Sequence, residues 1–179
     1  MIKKLLIALR EDKAFAKKFL LGISGMIFGI IITYIYYPQI PYRIGLIDTP
    51  SIFKKAVIYK IESPDDLKIK RERLYVFKLP VETIYYKKGY MFIKYAKCLP
   101  GDYLETRGVK FFCNKKLIAV ARKTDSKGKP VKHFEYNGTI PEGKYFMFAP
   151  HPRSFDSRYW GFVDKKDFVG EEKWVLLNW

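Results

Sequence analysis

The chain has 179 residues and a formal net charge of +16, from 34 Lys and Arg against 18 Asp and Glu. That length allows one globular domain plus a short appendage and excludes a multidomain assembly. The positive excess raises nucleic acid as a partner, but Lys54, Lys55, Lys60, Lys68, Lys70, Arg71 and Arg73 are scattered through strand-like and turn-like segments with no aromatic-basic repeat, so attraction to anionic lipid head groups or a generally basic proteome explains the charge and no nucleic acid is expected.

In chain order, residues 1–18 form a basic tail, with Lys3, Lys4, Arg10, Lys13, Lys17 and Lys18 against Glu11 and Asp12. Phe19 to Tyr37 then carries no charge and, as a helix, reaches roughly 28 Å, the hydrocarbon thickness of a bilayer. A cleaved signal peptide would have a shorter apolar region followed by small residues. Here Tyr34, Tyr36, Tyr37 and Pro38 stand at the exit, and tyrosine favours the membrane interface. Residues 19–37 are therefore read as a single transmembrane anchor. The Lys and Arg excess before it predicts a cytoplasmic N-terminus, which places residues 38–179 outside, in a bacterial cell in the periplasm of the inner membrane. Gly25 and Gly29 form a weak small-residue pair for helix dimerisation.

Beyond Pro38, short runs rich in Val, Ile, Tyr and Phe recur between turn residues: 56–61, 74–78, 90–97, 102–106, 110–113, 117–121, 144–149, 161–163 and 173–177. This spacing predicts a mostly β, antiparallel domain behind one N-terminal transmembrane helix. Residues 123–132 read as an exposed loop. Asn137-Gly138 reads as a hairpin turn with positive φ, a better account of it than glycosylation at Thr139. Cys98 and Cys113 lie in a segment read as a hairpin with its turn at Asn114. On the oxidising side of a membrane they are expected to pair, with free thiols as the alternative; zinc is disfavoured because there is no Cys-x-x-Cys and only two histidines. No cofactor or metal is expected.

Three separated segments carry candidate chemistry. Ser51 follows Thr49 and Pro50 shortly after the anchor, and a nucleophile there needs a base. His133 and His151 have no evident Asp partner. Lys94 lies among Met91, Phe92, Ile93, Tyr95 and Ala96, a setting that would lower its pKa by burial unless strand alternation turns it to solvent. The stretch from His151 to Val163 packs Ser154, Asp156, Ser157 and Arg158 between a Pro-containing turn and an apolar run.

Together these segments resemble type I signal peptidases, the Ser-Lys serine peptidases. The matching pieces are Thr49-Pro50-Ser51, Ile93-Lys94 through Leu99-Pro100-Gly101-Asp102, and Asp156-Ser157-Arg158-Tyr159-Trp160-Gly161-Phe162-Val163, in the family's order. The resemblance implies a signal-peptidase-like β domain, Ser51 as nucleophile and Lys94 as general base. It also implies an oxyanion hole from the Ser51 amide and the Thr49 hydroxyl, and Ser154 as the residue orienting the lysine. Asp156 and Arg158 are implied as a supporting ion pair. Ser51 is followed by Ile52 and Phe53 where the family usually has Met and Pro, and the late segment opens with Ala149-Pro150-His151-Pro152. That opening, with a cysteine directly before Leu99-Pro100-Gly101-Asp102, is similar to the TraF-type peptidases of conjugative transfer, which implies pilin subunits as substrates and conjugation or secretion machinery as partners. A housekeeping signal peptidase acting on preproteins and a non-catalytic periplasmic scaffold of the same apparatus are the alternatives.

Overall fold

The computed structural model describes residue 2, residues 12–125 and residues 127–179. Lys3, Lys4, Arg10 and Glu11 of the basic tail lie outside the described residues. The chain divides into two compact units, the first ending at Pro41 and the second running Tyr42–Trp179.

The first unit is helix α1, Lys13–Tyr36, followed by a single tight turn, Tyr37–Gln39. The helix starts ahead of the uncharged run because Asp12 caps it, its carboxylate accepting the Phe15 amide at 2.9 Å. Ser24 and Thr33 return their hydroxyl protons to the carbonyls of Leu21 and Gly29, at 2.9 and 2.8 Å, so these polar atoms are satisfied inside the helix. Among the described residues, this is the one helix long and apolar enough to cross a membrane, and its side chains are almost all exposed.

The second unit is two antiparallel sheets. The larger has seven strands, in the spatial order β1 (Tyr42–Leu46), β2 (Lys54–Ile61), β11 (Phe168–Asn178), β3 (Leu74–Lys78), β4 (Met91–Cys98), β9 (Lys144–Phe148) and β10 (Val163–Asp164). The smaller has four, in the order β7 (Lys116–Val120), β6 (Lys110–Cys113), β5 (Tyr103–Arg107) and β8 (Asn137–Thr139). The mostly β, antiparallel class expected from the sequence is what folds.

The C-terminal strand β11 is inserted between β2 and β3, which brings the end of the chain into the middle of the larger sheet. Gly170 makes this insertion feasible: a Cβ there would lie 2.0 Å from the Lys60 carbonyl oxygen, so any other residue would push β2 away. On one side of the domain Tyr75, Phe77, Met147 and Phe168 form a fully enclosed cluster, and on the other Leu104, Phe111, Ile140 and Phe146 form a second. Cys98, at the end of β4, and Cys113, at the end of β6, form a disulfide with Cα atoms 5.9 Å apart. The bond therefore joins the two sheets instead of closing one hairpin, although the β6–β7 turn does fall at Asn114 and Lys115, both with positive φ.

Two strands, β1 and β8, were not anticipated. Asn137 and Gly138 have no positive φ and do not form a turn; they lie in β8, where Asn137 Oδ1 accepts the Thr106 amide at 3.0 Å. The expectation of a hairpin there is corrected by this tertiary pairing with β5, which overrides the local turn preference of the dipeptide.

Candidate active site

Strand alternation decides which way Lys94 faces. Along β4 the side chains of Lys94, Ala96 and Cys98 are buried while their neighbours are only partly so, which puts the lysine on the same face as core residues. It is 3% exposed. Its amine lies over the Phe92 ring, 5.1 Å from the centroid, and 3.1 Å from Ser51 Oγ. Among the described residues, Lys94 is the only side chain that hydrogen-bonds the Ser51 hydroxyl.

Ser51 is presented by a tight 3-10 turn, Pro50–Ile52, preceded by extended Thr49 and closed by Phe53 in the left-handed region at φ 57°. Pro50 opens the turn where its fixed φ is favourable, and Ile52, 2% exposed, anchors it in a small apolar cluster with Leu74 and Ala149. The Ser51 carbonyl accepts the His151 amide at 3.2 Å, and the His151 carbonyl in turn accepts the Ser154 amide at 2.9 Å. The first and third sequence segments are thus stitched through backbone. Thr49 is exposed at the head of the turn, and its side chain makes no capping bond.

Burial drives the Lys94 pKa down from 10.5 to about 8. Asp156 acts in the opposite direction and Arg158 in the same direction as burial. Asp156 does not overcome burial, and its carboxylate is shared with other donors. Its two oxygens are bound by the Arg158 guanidinium, Nε to Oδ1 at 2.7 Å and Nη2 to Oδ2 at 2.8 Å, and Oδ2 also accepts the Ala149 amide at 3.1 Å. Arg158 donates further to the carbonyls of Val120 and Ser154, at 2.8 and 3.0 Å. Asp156 also caps the short helix α2, Ser157–Trp160, and Ser157 Oγ accepts the Met147 amide at 2.8 Å. The late segment is riveted to β9 by these contacts.

The structure brings Ser51 and Lys94 into contact and pairs Asp156 with Arg158. It does not give Ser154 the bond implied by the resemblance: its hydroxyl is buried and has no hydrogen-bond partner among the described residues. Nor does a histidine serve Ser51; the His151 ring packs edge-on to Phe53, and its Nδ1 accepts the Arg153 amide at 3.2 Å.

The family model described as signal peptidase, peptidase S26, matches residues 17–179. The chain belongs to the S26 signal peptidase family. Signal peptidase I of Haemophilus influenzae is 42% identical over 40 residues, covering 22% of this chain and 12% of that protein. Signal peptidase I of Buchnera aphidicola is 34% identical over 79 residues, covering 42% of this chain and 24% of that protein. The matched regions therefore span less than a quarter of the length of these curated relatives. Among solved structures, a signal peptidase I from Enterococcus faecalis is 27% identical with a TM-score of 0.40, over 62% of this chain and 97% of that one.

One group was not singled out from the sequence. Asp102, closing the family's Leu-Pro-Gly-Asp run, accepts four hydrogen bonds from three donors: both oxygens pair with Arg71 Nη2 at 2.8 and 2.7 Å, Oδ1 accepts Asn114 Nδ2 at 2.7 Å, and Oδ2 accepts the Leu99 amide at 2.6 Å. Burial pushes this carboxyl up, but the donors together hold it below its ordinary value. Arg71 also donates to the Lys97 carbonyl at 2.7 Å, so this hub fixes the C-terminal end of the lysine strand, with Gly101 supplying the turn at φ 84°. Its signal was the Pro-Gly-Asp turn; Arg71, far back in the chain, carried none. Asp102 lies close to Cys98 and Cys113, but both sulfurs are consumed in the disulfide, which leaves no thiolate to bind a metal.

Proposed function

We propose that the protein is a membrane-anchored serine endopeptidase that uses a Ser51-Lys94 dyad on membrane-bound preproteins. The observation that carries this reading is the 3.1 Å separation of Lys94 Nζ and Ser51 Oγ, with both residues buried and the amine near pKa 8. At neutral pH about a tenth of such an amine is uncharged, against fewer than one in a thousand for an ordinary lysine. Uncharged, it accepts the Ser51 proton as Oγ bonds to the scissile carbonyl carbon. The resulting oxyanion takes hydrogen bonds from the Ser51 amide and the Thr49 hydroxyl. The lysine then passes its proton to the leaving nitrogen as the C–N bond breaks, and water, deprotonated by the same amine, hydrolyses the acyl ester.

Helix α1, with Lys13, Lys17 and Lys18 at its head and tyrosines at its end, supports a single-pass anchor with the N-terminus cytoplasmic and the peptidase domain in the periplasm. Confinement of enzyme and substrate to one membrane layer raises their effective concentration. The likeness of His151–Val163 and of Cys98-Leu99-Pro100-Gly101-Asp102 to the TraF-type peptidases favours pilin subunits of a conjugative or secretion system as substrates.

The test is cleavage of a pilin precursor and of a secretory preprotein in proteoliposomes. Ser51→Ala and Lys94→Ala should each reduce turnover by at least about a thousandfold. Wild-type-like processing by either variant would refute the dyad, and cleavage of the secretory preprotein alone would leave a general signal peptidase.

A further inference from the structure

A cavity of about 360 Å³ lies between the β3–β4 connection, the 121–131 loop and the late segment. It is not the dyad itself, and nothing in the proposed chemistry uses it. Its walls are aromatic: Tyr85 meets Phe155 edge-on at 5.3 Å, Tyr86 stacks on Phe155 at 5.9 Å, and Tyr159 stacks on the other side at 5.5 Å. Two guanidinium groups, Arg122 and Arg153, also line it. Among the described residues neither guanidinium has an ion pair or hydrogen bond, in a domain where Arg71, Arg73, Arg107 and Arg158 are each paired to a carboxylate.

The lining carboxylate, Asp125, does not answer them. Its Oδ1 accepts the amides of Lys127 and Lys129, at 2.8 and 2.9 Å, and its Oδ2 accepts the Tyr85 hydroxyl at 3.1 Å. Aromatic walls with two unanswered planar cations suit an anionic group carried on an apolar stem, since guanidinium recognises carboxylate with directed hydrogen bonds and the stem gains from leaving water.

The cavity also lies close to the dyad. Lys94 Nζ is 5.1 Å from the Phe92 ring, and Phe92 is 5.1 Å from Tyr86 in the cavity wall. Two such steps put the wall within about 10 Å of the amine, the span of roughly three extended residues. Ser154, which lines the cavity, follows the turn that holds the Ser51 carbonyl.

We propose that this cavity is a substrate subsite for a peptide carboxylate, either an Asp or Glu side chain or a free chain terminus, about three residues from the scissile bond. The proposal rests on the peptidase reading for its role, and its test is a binding measurement that does not depend on cleavage. Full-length Ser51→Ala protein in neutral detergent micelles is titrated calorimetrically with three peptides: Ala-Phe-Ala-Glu-Phe-Ala amide, its Gln counterpart as the amide, and the Gln counterpart with a free carboxyl terminus. At least one carboxylate peptide should bind about tenfold tighter than the Gln amide, the value of one charge-assisted contact. Whether it is the Glu amide or the free terminus identifies the source of the carboxylate.

Adding Arg122→Gln and Arg153→Gln should bring all three peptides within about twofold, and Arg122→Lys with Arg153→Lys should recover part of the preference. The Arg153 side chain is exposed and unpaired, so Arg153→Gln alone cannot act by unfolding and should already weaken the discrimination. Equal binding of all peptides, or a preference that survives both Gln substitutions, would overturn the subsite. So would a preference abolished by phosphatidylglycerol vesicles and untouched by phosphatidylcholine vesicles, which would assign the guanidiniums to a lipid phosphate. If discrimination holds while the wild-type enzyme cleaves nothing, the carboxylate-binding site stands and its role as a substrate subsite falls with the peptidase reading.

Discussion

Two neighbouring segments each bury a cation, and they resolve the cost in opposite ways. On β4, Lys94 is 3% exposed with a hydroxyl and an aromatic ring for company, and its pKa falls to about 8. In the late segment, Arg158 is 2% exposed, yet a bidentate carboxylate and two carbonyls receive its protons. Burial alone therefore does not set a charge state; the number and geometry of the partners do. The pairing of Asp156 with Arg158 also matters for Lys94, because an unpaired carboxylate nearby would favour the charged form of the lysine.

The sharpest way to break this contrast is Arg158→Ala. It leaves the wholly buried Asp156 carboxylate without its counterion and should cost about 3–5 kcal/mol in denaturant unfolding of the detergent-solubilised protein. In the protein that remains folded, the activity midpoint should move to higher pH, because Asp156, which raises Lys94, is no longer neutralised. A loss under about 1 kcal/mol with an unmoved pH profile would show that the pair shields nothing.

Lys94→Met should act with the opposite sign. Because the folded pKa of about 8 lies below the unfolded 10.5, the unfolded chain binds the extra proton between these values, and stability rises with pH across that window. Below pH 8 the lysine carries its full penalty. The Met variant should accordingly be more stable at pH 7 by on the order of 2 kcal/mol, with the advantage shrinking from pH 8 upward and gone near 10.5. An advantage that is constant with pH would mean packing, not charge, separates the two side chains. The smallest effect belongs to a pair that Lys97, on the same strand as Lys94, makes with a turn residue: Glu72→Gln breaks the 2.7 Å contact to Lys97 and should change the unfolding free energy by less than about 1 kcal/mol.

The segments that the structure gathers into the candidate site were legible because each is local: a proline before Ser51, an apolar run around Lys94, and a dense polar stretch ending in Trp160-Gly161. Eight of the strands were found within a few residues for the same reason, their alternation or β-branched content being continuous. What local pattern could not provide was partnership. The tail of β11 reads as a short terminal strand until the pairing of the strand's first part with both β2 and β3 is known, and Asn137-Gly138 reads as a turn until β5 claims it. Arg71 and Asp102 are separated by 31 positions, and only folding reveals that they meet. The inward aim of Lys94 was undecidable from one strand, since both phases of alternation place some apolar side chains inside; Ala96 and Cys98 sharing its face settled it.

The Cys98–Cys113 bond fastens the strand that carries Lys94 to the smaller sheet, four residues beyond the amine. Thiols remain reduced in the bacterial cytosol and oxidise outside it. Under the proposed topology, with this domain outside the membrane, a polypeptide still awaiting export would lack that clasp, and the proposed proteolytic competence would ripen only after translocation.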